Sequence, residues 1–172
     1  LPQARLLIVG RGEALADLQA EVAHDGLQRN VIFAGYRSGA QLAAAYRTLD
    51  AKVLLAEGND GTCRAMLEAM ACGRPVIAYR FGAPAEVIAD GVTGKLVDTG
   101  DLGGLKSALL KLLSDRALCT RMGAAARSQV ATFTQAARGE AVERFLADVL
   151  ALPPASAKRL ARTRRTTATR SP

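Results

Sequence analysis

The stretch EGNDGTCRAMLEAMACGRPVIA, residues 57–78, decides the fold, because it runs from a turn-rich loop through a helix of small residues into an apolar strand. The loop carries two acidic residues, Glu57 and Asp60, and a third acid, Glu68, follows inside the predicted helix. With 3.6 residues per turn, Glu68 can face the edge of the sheet at which the loop lies. The stretch therefore predicts carboxylates and a helix start at one edge of a sheet.

The start of this helix is a candidate anion site. Gly61 allows an unusual backbone conformation, and Thr62 is predicted to cap the helix. A helix start presents unpaired N–H groups and the positive end of the helix dipole, which together suit a phosphate group. A simpler interpretation stays open from spacing alone: Asp60 is only a turn or cap residue, and Glu68 is a surface acid paired with Arg64 one turn before it.

Apolar and amphipathic segments alternate on both sides of this stretch. Short apolar runs predict strands at residues 4–10, 30–35, 51–56, 74–79 and 92–98. Helical spacing predicts helices at residues 13–27, 38–50, 63–73, 83–91, 101–115, 116–133 and 134–150. Alternating strands and helices form right-handed βαβ units, and nearly continuous apolar strands fit a sheet covered on both faces. The sequence therefore predicts an α/β fold with a doubly wound parallel sheet, whose last strand is an edge, and with closing C-terminal helices.

Ligands of a doubly wound sheet bind beyond the carboxyl ends of its strands. Two of the loops there are GRGE at residues 10–13 and GYRS at residues 35–38. The first loop lacks the glycine spacing of a dinucleotide-binding motif, because Leu15 stands where the third glycine would be. Gly10 and Gly12 are therefore predicted to permit a tight turn from strand to helix.

The positive charge of the chain is concentrated at its C-terminus. The 172 residues have a net charge of +7, but six Lys and Arg residues and no acid lie beyond Pro154. We expect residues 1–152 to form one domain and residues 153–172 to be a disordered basic tail. The aromatic content of 4% and the absence of Trp argue against a stacking platform for nucleic acid. The tail would be attracted weakly to anionic membrane surfaces.

Cysteine and histidine usage predicts neither a metal site nor a secreted protein. The three cysteines show no C-x-x-C spacing and His24 is the single histidine, so no zinc site is expected. Free thiols favour the reducing cytoplasm. No apolar run approaches the ~20 residues of a membrane-spanning helix, and the N-terminus does not support a signal peptide.

Two longer segments, DGTCRAMLEAMACGRPVIA (60–78) and FGAPAEVIADGVTGKLVD (81–98), resemble the nucleotide-sugar-binding half of retaining glycosyltransferases of family 4, which have the GT-B fold. The pattern of that family is an acid, seven residues and a glutamate, followed by a Gly-x-x-x-Glu loop and an Asp-Gly-x-x-Gly turn. The likeness covers roughly residues 4–150. Gly82 and Glu86 match the later loop, to which the resemblance gives a structural role.

The resemblance assigns roles to individual residues. Asp60 and Glu68 become the catalytic acidic pair, and Glu57 falls outside it. Glu68 would bind the ribose hydroxyls of the donor. The sugar hydroxyls and the diphosphate would be held by Asp60, Gly61, Thr62 and Cys63. The nucleobase would be held at the loop of Gly35, Tyr36 and Arg37, and the predicted donor-binding set also includes Gly10 and Gly12.

The implied reaction transfers a glycosyl unit from a nucleotide-diphosphate sugar to an unknown acceptor, with retention of the anomeric configuration and without a metal or other cofactor. In the family, an Arg and a Lys that grip the donor phosphates lie in a βα unit ahead of ARLLIVG, and a separate N-terminal domain binds the acceptor. Because this sequence contains neither, we expect a missing N-terminal domain or a partner chain. Two alternatives stay open: a non-catalytic nucleotide-sugar-binding remnant, and a nucleic-acid-binding protein that uses the basic tail.

Overall fold

The computed structural model describes residues 1–55 and 60–151, without the side chains of residues 60–62. The chain divides into two compact units, Leu1–Ala131 and Thr132–Pro172, which are described separately below. Glu57, predicted to stand outside the acidic pair, lies outside the described residues. The predicted tail, residues 153–172, lies outside them as well.

The first unit contains five strands and six helices within the described residues. The strands are β1 (Leu6–Val9), β2 (Val31–Gly35), β3 (Lys52–Leu54), β4 (Val76–Tyr79) and β5 (Gly94–Val97). The helices are α1 (Leu15–His24), α2 (Gly39–Thr48), α3 (Asp60–Ala71), α4 (Ala83–Val87), α5 (Leu102–Ser114) and α6 (Arg116–Val130). Their order and approximate positions confirm the strands and helices predicted from the sequence.

Two helix boundaries differ from the prediction. Helix α3 begins at Asp60, so Thr62 lies within its first turn and the prediction that Thr62 caps the helix is wrong. Helix α4 ends at Val87, well before residue 91, because Ile88 adopts an extended conformation, and the chain then brings Asp90 beside β5. There the Asp90 carboxylate accepts a hydrogen bond from the Leu96 N–H at 3.0 Å.

Every strand pair is parallel, and the strands form two hydrogen-bonded groups. β1 pairs with β2, while β3, β4 and β5 pair in that order. β5 is an edge strand, as predicted, and β4 is central in its group. Parallel strands that alternate with helices confirm the predicted α/β class. The division into two groups was not predicted.

The group of β3, β4 and β5 is covered on both faces, as the apolar strands predict. On one face, Val76 and Ala78 of β4 share a core with residues of α3 and α6: Met66, Ala69, Met70, Ala126 and Val130. On the other face, Ile77 of β4 shares a second core with Val97, Ala108, Leu112 and Met122. Successive residues of β4 thus pack on opposite faces, which is why the strand is apolar throughout.

The described part of the second unit contains helix α7 (Gln135–Ala151). The Thr134 hydroxyl accepts a hydrogen bond from the Ala137 N–H at 3.1 Å and caps its start. The helix has no buried residue, and its exposed large apolar side chains are Val142, Phe145, Leu146 and Leu150. Among the described residues, no helix combines the length and the apolarity that crossing a membrane requires.

Candidate functional site

The loops after β1 and β2 meet at the carboxyl ends of these strands. The Gly10 N–H donates a hydrogen bond to the Gly35 carbonyl at 3.0 Å. Both glycines have positive φ, 149° at Gly10 and 67° at Gly35, where a side chain would be strained. The predicted conformational role of Gly10 is confirmed, and the two loops form one surface.

Gly12 differs from Gly10. It does not adopt a left-handed conformation, and a Cβ added there would meet no atom within 4 Å. Its carbonyl accepts a hydrogen bond from the Leu15 N–H at 3.2 Å, which any residue could provide. The predicted turn is present at Gly12, but nothing in it requires glycine, and the place of Gly12 in the donor-binding set stays a prediction.

An exposed aromatic ring and two guanidinium groups lie on this surface. The Arg11 guanidinium carbon is 5.0 Å from the centroid of the Tyr36 ring, a cation–π contact. The Arg37 guanidinium donates to the Tyr36 carbonyl at 3.1 Å. Tyr36 is 60% exposed, so the ring is open to a ligand. Sequence reasoning did not assign Arg11, although its position directly after Gly10 at a strand end was the available signal.

The start of α3 contains the residues predicted to bind the donor phosphates. Asp60, Gly61, Thr62 and Cys63 are the first four residues of the helix. The first four N–H groups of any helix lack partners within it. The Cys63 thiol is free and half-buried. The two predicted acids, Asp60 and Glu68, are two turns apart on this helix.

Glu68 is held by a side chain from the preceding helix. The Tyr46 hydroxyl of α2 donates a hydrogen bond to Glu68 Oε2 at 3.2 Å. Burial raises the pKa of Tyr46 to about 12, and the Glu68 charge acts in the same direction, so the phenol remains a donor. Arg64 is exposed, and no ion pair joins it to Glu68 among the described residues. The alternative in which Glu68 pairs with Arg64 is thus not the arrangement of this structure.

Tyr46 was placed from the sequence only on the apolar face of its helix. It is 8% exposed and belongs to the core. Helical spacing showed that the ring faces inward, but no local signal paired its hydroxyl with an acid on the next helix. Tyr46 is therefore a site residue that sequence reasoning missed.

The loop of Gly82 and Glu86 depends on the backbone conformation of its glycine. Gly82 has a φ of 57° and precedes α4, and Glu86 is exposed on that helix. In the part of the chain that the structure describes, no three His, Cys, Asp or Glu side chains come together in a way that could hold a metal ion.

Comparison with known proteins places these features in context. A family model described as "Glycosyl transferases group 1" matches residues 1–129. D-inositol 3-phosphate glycosyltransferase of Corynebacterium jeikeium is 34% identical over 161 residues, which are 90% of this chain and 38% of that protein. N-acetyl-alpha-D-glucosaminyl L-malate synthase of Bacillus anthracis is 35% identical over 127 residues, 74% of this chain and 32% of that protein. The chain spans about a third of the length of these curated relatives.

Solved structures share the fold. Anabaena HepE in complex with UDP and glucose has a TM-score of 0.76 at 21% identity, covering 86% of this chain and 41% of that one. Sucrose-phosphate synthase from Thermosynechococcus elongatus has a TM-score of 0.72 at 26% identity, covering 88% and 40%. The C-terminal domain of a group 1 glycosyl transferase from Francisella tularensis has a TM-score of 0.63 at 28% identity, covering 76% and 70%. The predicted fold, that of a GT-B C-terminal half, is confirmed.

Proposed function

This chain belongs to the glycosyl transferases group 1 family, and we propose that it is the donor-binding domain of a retaining glycosyltransferase, which transfers a sugar from a nucleotide-diphosphate sugar to an acceptor. The observation that carries this proposal is the hydrogen bond from Tyr46 to Glu68 at 3.2 Å. It fixes the acid of the family motif in place and ties the helix after β2 to the helix after β3.

In the proposal, Glu68 binds the ribose of the donor. An ionised carboxylate accepts hydrogen bonds at both of its oxygens. The Tyr46 hydroxyl bonds to Oε2, so Oε1 is the acceptor for a ribose hydroxyl. Because Tyr46 restrains the side chain, little conformational entropy remains to be lost when the nucleotide binds.

The diphosphate is proposed to lie at the start of α3, against the backbone N–H groups of Asp60, Gly61, Thr62 and Cys63. Helix amides and the helix dipole stabilise negative charge without a metal ion, and they favour a departing diphosphate. Anabaena HepE, which shares the fold, was solved in complex with UDP and glucose, and this supports a nucleotide and a sugar as ligands here. Asp60 then contacts the transferred sugar.

The nucleobase is proposed to lie on the surface formed by the loops after β1 and β2. Tyr36 offers an exposed ring, and Gly10 and Gly35 keep the backbone free of side chains. Arg37 belongs to the predicted set, and we add Arg11, whose guanidinium lies on the Tyr36 ring.

A second candidate is a nucleotide-sugar-binding domain without catalytic activity of its own. The match covers about a third of the length of the curated relatives, so the comparison supports donor binding more directly than the whole transfer reaction. In either case we propose an acceptor-binding domain or partner chain, and a cytoplasmic location. Both candidates bind the donor, and only the first transfers its sugar.

Titration calorimetry with a panel of nucleotides and nucleotide sugars tests the shared claim. We expect at least one ligand of the panel to bind the wild-type chain, and Glu68→Ala to weaken it about 10- to 100-fold, since a hydrogen bond to a charged group is worth about 1.5–3 kcal/mol. Glu21→Ala removes an exposed acid of α1 and is the matched control, with unchanged affinity. Equal affinities in wild type and Glu68→Ala would refute the ribose role.

A further inference from the structure

The surface formed by the loops after β1 and β2 is rich in hydrogen-bond donors. Arg11 and Arg37 are both exposed there, and neither forms an ion pair among the described residues. Each guanidinium group has five N–H donors and no acceptor. Glu13, the one acid of residues 10–13 and 35–38, forms no ion pair with either arginine. The donors of both guanidinium groups therefore remain open to a ligand.

The Arg37 side chain is held over the backbone of its own loop. Its Nη1 donates a hydrogen bond to the Tyr36 carbonyl at 3.1 Å. A Cβ added to Gly35 would lie 4.0 Å from the same nitrogen, so the side chain folds back over this glycine. The single hydrogen bond restrains the guanidinium and leaves four of its five N–H groups without a partner in the described part of the chain. Neighbouring N–H groups of a guanidinium form a fork that suits two adjacent acceptors.

The backbone carbonyls of this surface are already engaged. The Gly35 carbonyl accepts a hydrogen bond from the Gly10 N–H at 3.0 Å, and the Tyr36 carbonyl accepts one from Arg37. The surface thus offers free donors, while its carbonyl acceptors each hold a bond. A base with two adjacent acceptors fits such a surface better than a base with a donor beside an acceptor.

Guanine is the purine with two adjacent acceptors. Its O6 and N7 bind an arginine fork through two hydrogen bonds, whereas adenine carries an N6 amine donor beside N7. In uracil, the N3–H donor lies between the two carbonyl oxygens. Cytosine has adjacent acceptors at O2 and N3, but its single ring offers less area for stacking than the double ring of a purine.

A stacking surface lies beside this fork. The Tyr36 ring is 60% exposed, and the Arg11 guanidinium carbon lies 5.0 Å from its centroid. Bases stack both on aromatic rings and on guanidinium planes. Stacking is possible with every base, so Arg37 is the residue that distinguishes between them.

We propose that Arg37 selects guanine, so that the donor is a guanosine-diphosphate sugar. This inference rests on the proposed function, in which the nucleobase lies on this surface. Two N–H groups of Arg37 donate to O6 and N7 of the base, which stacks against the side chains of Tyr36 and Arg11.

Titration calorimetry of the full chain with GDP, ADP, UDP and CDP tests the choice of base. We expect GDP to bind about 5- to 100-fold more tightly than each of the others, which is the discrimination that one bidentate pair provides. The analogue 7-deaza-GDP keeps O6 and the double ring but has C–H in place of N7. It should bind the wild-type chain about fivefold or more weakly than GDP.

A pair of variants tests the role of Arg37. In Arg37→Leu the preference for GDP over UDP should disappear, and GDP and 7-deaza-GDP should bind equally. Arg29→Leu is the matched control, because it removes the same charge from an exposed residue that precedes β2 instead of following it. It should keep the preference for GDP.

The outcomes separate this inference from the proposed function. Binding of ADP, UDP or CDP as tight as that of GDP would overturn the choice of guanine and leave the proposed function intact. A GDP preference that persists in Arg37→Leu, or equal affinities of the wild-type chain for GDP and 7-deaza-GDP, would show that Arg37 does not contact the base as proposed. If no nucleotide binds, the proposed function fails and this inference fails with it.

Discussion

A single residue, Tyr46, holds Glu68, the second acid of the family motif, in its position. Tyr46 and Glu68 are 22 residues apart in the chain and belong to successive helices. Tyr46 is buried while its hydroxyl reaches a half-buried carboxylate, so the bond lies at the boundary between core and site. The pKa of about 12 keeps the proton on the phenol across neutral and mildly alkaline pH. Glu68 is therefore positioned by a permanent donor.

Tyr46→Phe removes this donor and keeps the ring. We expect the affinity for the best-bound ribonucleotide of the panel to fall about 3- to 10-fold, since a hydrogen bond contributes about 0.5–1.5 kcal/mol. Tyr79→Phe is the control, because the Tyr79 hydroxyl has no hydrogen-bond partner among the described residues. Calorimetry should be repeated with the 2′,3′-dideoxy nucleotide. If the variant weakens both nucleotides equally, Tyr46 only supports the fold and does not position Glu68.

The sequence offered candidate site residues where the signal lies between neighbours in the chain, and the family resemblance gave them their roles. Asp60 and Glu68 lie on one helix, so their spacing can be counted in the sequence. Gly10 directly follows an apolar run, so its position at the end of a strand could be predicted. Tyr46 and Arg11 depend on contacts between separate elements, and no periodicity reports which residue of another helix or loop they meet. Gly12 lies in the predicted turn, but the turn does not use the special conformation that its residue type permits.

Among the elements, α6 packs closely at Gly123 against the turn of Gly73 that follows α3. A Cβ on Gly123 would collide with the Gly73 carbonyl, which belongs to backbone and cannot move aside as a side chain could. Ala126 and Val130, on the same helix as Gly123, pack in one core with Met66, Ala69 and Met70 of α3.

Gly123→Ala should therefore destabilise the first unit. Alanine favours a helix by about 1 kcal/mol over glycine, but forced overpacking costs about 1–3 kcal/mol, so a net loss of up to about 2 kcal/mol is expected. Gly139→Ala in α7, where a Cβ would meet no atom within 4 Å, is the control and should be neutral or stabilising. Urea denaturation measures both. A Gly123→Ala protein as stable as wild type would show that the helices separate without cost.

The edge of β5 should give the protein an acid-sensitive step. Burial opposes ionisation of Asp90, but its hydrogen bonds with Leu96, Arg80 and Lys95 outweigh burial and lower its pKa from 3.8 to about 2. Since the folded pKa lies below the unfolded one, this contribution is present above about pH 4 and is lost as the pH falls toward 2.

Asp90→Asn should lower the free energy of unfolding at pH 7 by about 1–3 kcal/mol, because it removes a charged acceptor from Arg80 and Lys95. The variant should also lose part of the decline in stability between pH 4 and pH 2. Thermal unfolding at several pH values reads out both effects, with Asp98→Asn as control, since Asp98 has only the longer contact to Arg80 at 3.5 Å. Parallel pH profiles of Asp90→Asn and wild type would contradict the assignment.

Element boundaries were predictable only where local signals decide them. The apolar runs located each strand, and the acid caps Asp101 and Asp115 start α5 and α6 within the predicted ranges. Helix α4 ends earlier than predicted. Asp90, which follows it, accepts a hydrogen bond from the Leu96 N–H of β5, and the sequence of α4 contains no signal for this contact.

At the scale of the whole molecule, the hydrogen-bonded order of strands was beyond sequence reasoning. Alternation predicts that strands are parallel, but which strand neighbours which depends on contacts between residues far apart in the chain. The charge pattern is a similar case. The sequence locates the basic residues beyond Pro154, but it does not say what they bind.

Removing residues 153–172 should weaken binding to anionic membranes without changing nucleotide binding. The shortened chain loses six cations and becomes nearly neutral, so binding to phosphatidylserine vesicles should fall about tenfold or more, since each cation near an anionic surface contributes up to about 1 kcal/mol. Nucleotide affinity should be unchanged, because the proposed donor site lies within Leu1–Ala131. Vesicle co-sedimentation and calorimetry measure these, with phosphatidylcholine vesicles as control. Tight binding of duplex DNA at physiological salt, lost on truncation, would instead favour a nucleic-acid-binding tail.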